Sequence, residues 1–144
     1  MYYGYVFDRM LADIKSDKSG KPFFRSIMTE SSHEPFDVPN YNNIKSNLVL
    51  NSFSYADYCL GKFVEELRKL PLWNNTIVAI VPDHLGAYPA IADNYVLWRY
   101  KTPFIIIGGT VEKVECNVYG SQIDIAATLL GMLGIDHSEF VYST

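Results

Sequence analysis

An α/β fold, with a mostly parallel sheet flanked by helices, is predicted from three features of the sequence. The run Thr76-Ile77-Val78-Ala79-Ile80-Val81 shows no polar alternation, the pattern of a strand buried on both faces in the middle of a parallel sheet. A second run, Phe104-Ile105-Ile106-Ile107, repeats that pattern downstream. Segments with apolar residues at helical spacing, closed by Pro or Gly, surround both runs.

In chain order, the first element is a helix from about Tyr2 to Ser16, because Tyr3, Val6, Phe7, Met10, Leu11 and Ile14 share one face. Ser19-Gly20-Lys21-Pro22 stops it. Phe23 to Thr29 reads as a strand, with the polar Ser31-Ser32-His33-Glu34-Pro35-Phe36 at its carboxyl end. A Pro- and Asn-rich loop leads to the longest helix, from about Asn47 to Leu70, striped by Phe53, Ala56, Leu60, Phe63, Val64 and Leu67 and ended by Pro71. Leu72-Trp73-Asn74-Asn75 turns the chain into the strand Thr76 to Val81.

This order forms a strand-helix-strand unit, whose two strands are expected to be parallel through a right-handed crossover. Parallel strands end on one edge, so His33 and the Asp83-His84 pair are expected in one crevice, where open α/β sheets bind ligands. Leu85 to Lys101 reads as an irregular loop over that crevice. The strand over Thr102 to Gly109 follows, then a short edge strand over Val111 to Val114. The last element is a helix, opened by capping-box spacing in Ser121-Gln122-Ile123-Asp124 and stopped by Gly134.

Composition limits the function classes. The chain has 144 residues, 49% of them hydrophobic and 15% aromatic, enough for one compact core. A net charge of -4 and no basic stripe interleaved with aromatics speak against nucleic acid as a partner. Cys59 and Cys116 stand far apart, in neither disulfide-framework nor zinc-finger spacing. The longest apolar runs are far too short to cross a bilayer, and no segment reads as a signal peptide. The chain opens directly on the patterned Tyr2-Tyr3-Gly4-Tyr5-Val6-Phe7, without a polar lead-in, and is therefore expected to be part of a longer domain.

Several segments together carry a family resemblance. They are Ser32-His33-Glu34-Pro35-Phe36; Tyr55-Ala56-Asp57 with Leu60-Gly61; Trp73-Asn74-Asn75-Thr76 leading into Val81-Pro82-Asp83-His84; Thr102-Pro103-Phe104-Ile105; and Gln122-Ile123-Asp124-Ile125. In this order the chain resembles the carboxyl-terminal half of a sulfatase-type catalytic domain of the alkaline phosphatase superfamily. The His-x-Pro-Phe form is most similar to the lipoteichoic acid synthase and phosphoglycerol or phosphoethanolamine transferase branch.

The resemblance implies a partial alkaline-phosphatase-like sandwich over residues 1–144, with the nucleophile in an amino-terminal half outside them. It implies zinc or manganese held by Asp83 and His84, and His33 hydrogen-bonded to a non-bridging oxygen of an anionic phosphate or sulfate ester. It further implies a chain inactive alone, completed by the missing amino-terminal half or by self-association. Membrane anchoring and an extracytoplasmic location would come only through upstream segments. The chemistry agrees: a hard carboxylate and a borderline imidazole suit either metal. Two departures stand out, Leu85 where relatives commonly have Gly after Asp-His, and Ala127 where they commonly have Pro.

Other readings are open for each group. A true sulfatase and a non-catalytic binding module share the same pattern. Asp83-His84 can be a turn or helix cap, and His33 a loop imidazole capping backbone groups. Asp57 reads as a helix residue bordering the core, Asp124 as a cap, and Arg99 as a surface residue packing its stem. Gly108-Gly109 reads as a turn before a phosphate cradle, and the Asn74-Asn75-Thr76 sequon first as a turn.

Overall fold

The first helix and the long helix form the core. In a computed structural model describing residues 3–86, 88–89 and 93–143, helix α1 runs Tyr3–Ser16 and helix α2 runs Leu48–Arg68. The expected start at Tyr2 and the Tyr3 side chain lie outside the described residues. Phe7, Leu11 and Ile14 of α1 bury against Tyr55, Cys59, Phe63 and Leu67 of α2, with the Phe7 and Phe63 rings 5.1 Å apart. Leu67 is the most enclosed of these, at 2% exposed, and burying such a side chain stabilises by about 1.5–3 kcal/mol.

The buried line of α2 differs from the expected stripe. It passes through Ser52, Tyr55, Cys59, Phe63 and Leu67, while Ala56, Leu60 and Val64 flank it and are partly buried. Tyr41 and α1 approach from the Tyr55 side, so a phenol and a thiol take places that an aliphatic pattern does not reveal. Asn47 caps the helix by accepting from the Leu50 N–H at 3.0 Å. Buried Asn51 ties α2 to the preceding loop: its amide donates to the Tyr41 carbonyl at 2.8 Å and accepts from the Ile44 N–H at 3.0 Å.

The expected strand over Phe23 to Thr29 does not form. That stretch is irregular, with Phe24 at 87% and Met28 at 84% exposed, while Ile27 packs on the helix core. A strand needs a neighbour to accept its backbone hydrogen bonds, and none runs beside this segment in the described residues. The strand-helix-strand unit and its crossover are therefore absent there too. Arg25 instead holds the stretch to the end of α1 through Asp17, at 3.3 Å.

The two remaining strands, β1 (Ile77–Ile80) and β2 (Ile105–Gly108), form a two-stranded antiparallel sheet, with Ile77 opposite Gly108 and Ile80 opposite Ile105. This corrects the expectation of a mostly parallel sheet. Parallel neighbours need a crossover, normally a helix, and the described part of the connection holds only a 3-10 turn at Leu97–Tyr100. The strands are also not buried on both faces: only Val78 reaches the helix core, and Val81, Phe104 and Ile105 are exposed. No edge strand forms over Val111 to Val114. Part of the expected loop over 85–101 falls outside the described residues.

Antiparallel pairing sends the two strand ends in opposite directions. The carboxyl end of β2 lies beside the 3-10 turn Pro71–Asn75, where the Gly109 N–H donates to the Trp73 carbonyl at 3.2 Å. A Cβ on Gly109 would sit 2.6 Å from the Asn74 Cα, and one on Gly108 2.2 Å from the Thr76 carbonyl oxygen. The Gly-Gly pair thus permits close backbone approach, at the end of the sheet away from Asp83.

The segment from Glu112 to Thr144 is a second compact unit, containing helix α3 (Asp124–Met132). The Asp124 carboxylate accepts from the Ser121 N–H at 2.6 Å, half of the predicted capping box, but the helix itself begins at Asp124 after Ile123 rather than just after Ser121. At the other end Gly134 has φ +67°, and Ile135 N–H reaches the Leu130 carbonyl at 2.9 Å while Gly134 N–H reaches that of Gly131 at 3.0 Å. This is the Schellman arrangement, which needs the left-handed residue that Gly supplies.

Two outcomes test these contacts. Gly109→Ala should lower stability by about 1–3 kcal/mol through overpacking against backbone, measured by thermal melting; an unchanged melting temperature would contradict the close approach. Burial raises the Cys59 thiol above 9.0 and the Tyr55 hydroxyl above 10.0, so both stay neutral in the fold. A folded-state pKa above the unfolded one gives stability that is complete below the unfolded values and lost as pH rises through the folded ones. Melting temperature should therefore hold between pH 7 and roughly 8.5 and fall above about 9. A flat profile to pH 11 would contradict this.

Candidate functional site

Strand β1 ends because Pro82 has no N–H to extend the ladder. The chain then leaves the sheet as Asp83-His84. The Asp83 side chain is 86% exposed and that of His84 38% exposed. Asp83 Oδ1 accepts from the His84 backbone N–H at 2.8 Å, and Asp83 Oδ2 stands 3.5 Å from His84 Nε2. His84 Nδ1 lies 3.0 Å from the Leu85 carbonyl oxygen. A carbonyl can only accept, so this contact requires Nδ1 to carry the proton and leaves Nε2 beside the carboxylate.

The donor pair fits a divalent ion. Bonds of about 2.1 Å meeting at about 109° would place a nitrogen and an oxygen ligand roughly 3.4 Å apart, close to the separation found. The Leu85 N–H donates to the Arg99 carbonyl at 2.7 Å, so the residue after His84 is tied to the turn Leu97–Tyr100. Among the described residues no group of three or more His, Cys, Asp and Glu side chains gathers around one point. Asp83 and His84 are thus two candidate donors, and no third His, Cys, Asp or Glu joins them around one point among those residues.

His33 sits in a different setting. Its N–H donates to the Glu30 carbonyl at 2.9 Å, its carbonyl accepts from the Phe36 N–H at 2.8 Å, and Nδ1 lies 3.2 Å from the Glu34 carbonyl. Phe36 closes the turn at φ 62°, a left-handed backbone unusual for a bulky side chain. All these hydrogen bonds are local. The parallel crossover expected to carry His33 to the crevice is not formed, so the topological argument joining it to Asp83 and His84 does not hold. Asp57 is exposed on α2, and Asp124 caps α3. Sequence reasoning missed the Leu85 and Arg99 backbone groups; these carry no residue signature, and only the fold reveals them.

A sulfatase family model matches residues 4–135. The lipoteichoic acid synthase of Staphylococcus saprophyticus is 28% identical over 86% of this chain. Lipoteichoic acid synthase 2 of Bacillus subtilis is 26% identical over 85%. The chain spans 22% of the length of each of these relatives. Among solved structures, a protein in the alkaline phosphatase superfamily from Vibrio parahaemolyticus superposes with a TM-score of 0.83 at 25% identity, over 95% of this chain and 35% of that one.

Zinc titrated into the chain should bind weakly, and Asp83→Asn or His84→Ala should each reduce affinity about tenfold or more, since either leaves one ligand of two. Calorimetry showing unchanged affinity in both variants would place the ion elsewhere.

Proposed function

The chain belongs to the sulfatase family, and from that premise we propose that it forms the carboxyl-terminal part of a metal-dependent phosphotransferase or phosphodiesterase domain acting on phosphoglycerol-type head groups. The observation carrying this reading is the Asp83-His84 contact at the carboxyl end of β1, in a chain whose curated relatives include lipoteichoic acid synthases. Those names favour a phosphoester over a sulfate ester. They also support a membrane-anchored, extracytoplasmic parent, although no helix of the described residues is long and apolar enough to cross a membrane.

In this reading Asp83 Oδ2 and His84 Nε2 hold a zinc or manganese ion. Bound there, the ion neutralises charge building on the transferred group and lowers the pKa of a hydroxyl nucleophile. His33, with Nδ1 engaged at the Glu34 carbonyl, offers Nε2 outward; when that nitrogen is protonated it donates to a non-bridging oxygen of the anionic ester. The nucleophile and remaining ligands come from polypeptide outside these residues, in the amino-terminal half of the domain or a second copy. The two-stranded sheet supports such completion, because so small a sheet is marginal alone and its exposed Val81, Phe104 and Ile105 offer apolar surface to further structure.

Two measurements test the proposal. The 144-residue chain with zinc or manganese should not turn over bis(p-nitrophenyl) phosphate; metal-dependent turnover would show that it holds a complete site. In the complete catalytic domain, His84→Ala should lower kcat about 100-fold or more, because the ion contributes several kcal/mol of transition-state stabilisation. Faster cleavage of an aryl sulfate than of the phosphodiester would reassign the chain to sulfate ester hydrolysis.

A further inference from the structure

Two contacts hold His84, and a third ties its neighbour Leu85 to a turn; none belongs to a recognisable motif. The Arg99 carbonyl holds the Leu85 N–H at 2.7 Å, the Leu85 carbonyl lies 3.0 Å from His84 Nδ1, and Asp83 Oδ1 holds the His84 N–H at 2.8 Å. The turn Leu97–Tyr100 is itself fastened: the Arg99 N–H reaches the Val96 carbonyl at 3.1 Å, and the Tyr100 hydroxyl donates to the Asn94 carbonyl at 3.1 Å. Leu85 therefore sits between the imidazole and the turn, its N–H anchored to the Arg99 carbonyl and its own carbonyl, in the next peptide group, presented to His84 Nδ1.

We infer that the Leu97–Tyr100 turn is a positioning device for His84, acting through the Leu85 backbone to fix the Nδ1–H tautomer and present the Nε2 lone pair to a divalent cation beside Asp83 Oδ2. This rests on the reading of Asp83 and His84 as metal ligands. A histidine ligand gains basicity and a fixed ring plane when its other nitrogen donates to a carbonyl, and removing such a partner typically weakens metal binding about 10–100-fold. A free imidazole distributes its proton between both nitrogens and must give up the Nε2–H tautomer before binding through that atom. Leu85 can serve here despite its bulk, because the role belongs to its N–H and carbonyl.

The test is nitrogen-detected NMR of the 144-residue chain, with zinc as probe. Nδ1 of His84 should carry a proton that it keeps on adding zinc, while the Nε2 resonance moves. The Leu85 amide should exchange with solvent about tenfold or more slowly than an unprotected amide, a measurement needing no variant. Leu85→Pro, which removes the N–H given to Arg99, should mix the tautomers and weaken zinc binding about tenfold.

Zinc arriving at Nδ1, or unprotected exchange at Leu85, would overturn the inference and leave His84 standing as a ligand. Unchanged tautomer and affinity in Leu85→Pro would remove the turn from the device. No zinc response at either His84 nitrogen would overturn the metal-ligand reading and the inference together.

Discussion

The contact of α1 with α2 is the constraint on which the first unit depends. Helices of 14 and 21 residues have few ways to bury apolar surface in a chain of this size, and their facing stripes satisfy each other. Phe7, Leu11 and Ile14 meet Tyr55, Cys59, Phe63 and Leu67, and around this seam Leu70, Leu72, Trp73 and Val78 are partly buried. Those flanking residues are the route by which the helix pair reaches the sheet. Leu70 and Leu72 bracket the 3-10 turn's Pro71, and the Arg68 guanidinium lies 5.5 Å from the centre of the Trp73 ring.

The sheet is then fixed from its far end. Thr76 leaves the turn directly into β1, and the Gly109 N–H returns from β2 to the Trp73 carbonyl, so both strands are pinned where the turn meets them. The close approach at Gly108 and Gly109 leaves no room for a side chain. The opposite end of β1 leads into Asp83 and His84. Reactive groups held by a packed scaffold yet open to solvent are what a binding edge requires.

At that edge the protein supplies orientation before it supplies charge. Asp83 is well exposed. His84 is held by local backbone groups that choose which nitrogen faces outward. In the proposed function this pair is completed by ligands and a nucleophile brought by other structure. The apolar residues exposed around β2 mark where such structure could cover the sheet.

The sequence by itself determined both long helices of the first unit, the two apolar runs that became strands, the stop of α3 and the family, and it singled out Asp83-His84 as the candidate pair. These rest on local signals: helical periodicity, Pro and Gly punctuation and adjacent residue types. Tertiary structure alone decided strand direction, because two apolar runs read alike whether they pair parallel or antiparallel. It denied Phe23 to Thr29 a strand for the same reason, since a β-propensity pattern cannot show whether a partner runs beside it. It also moved the buried line of α2 onto Tyr55 and Cys59, and revealed the Arg99 and Leu85 peptide groups that orient His84. Backbone N–H and carbonyl groups are the same at every residue, so their use in a site is set by where the chain folds.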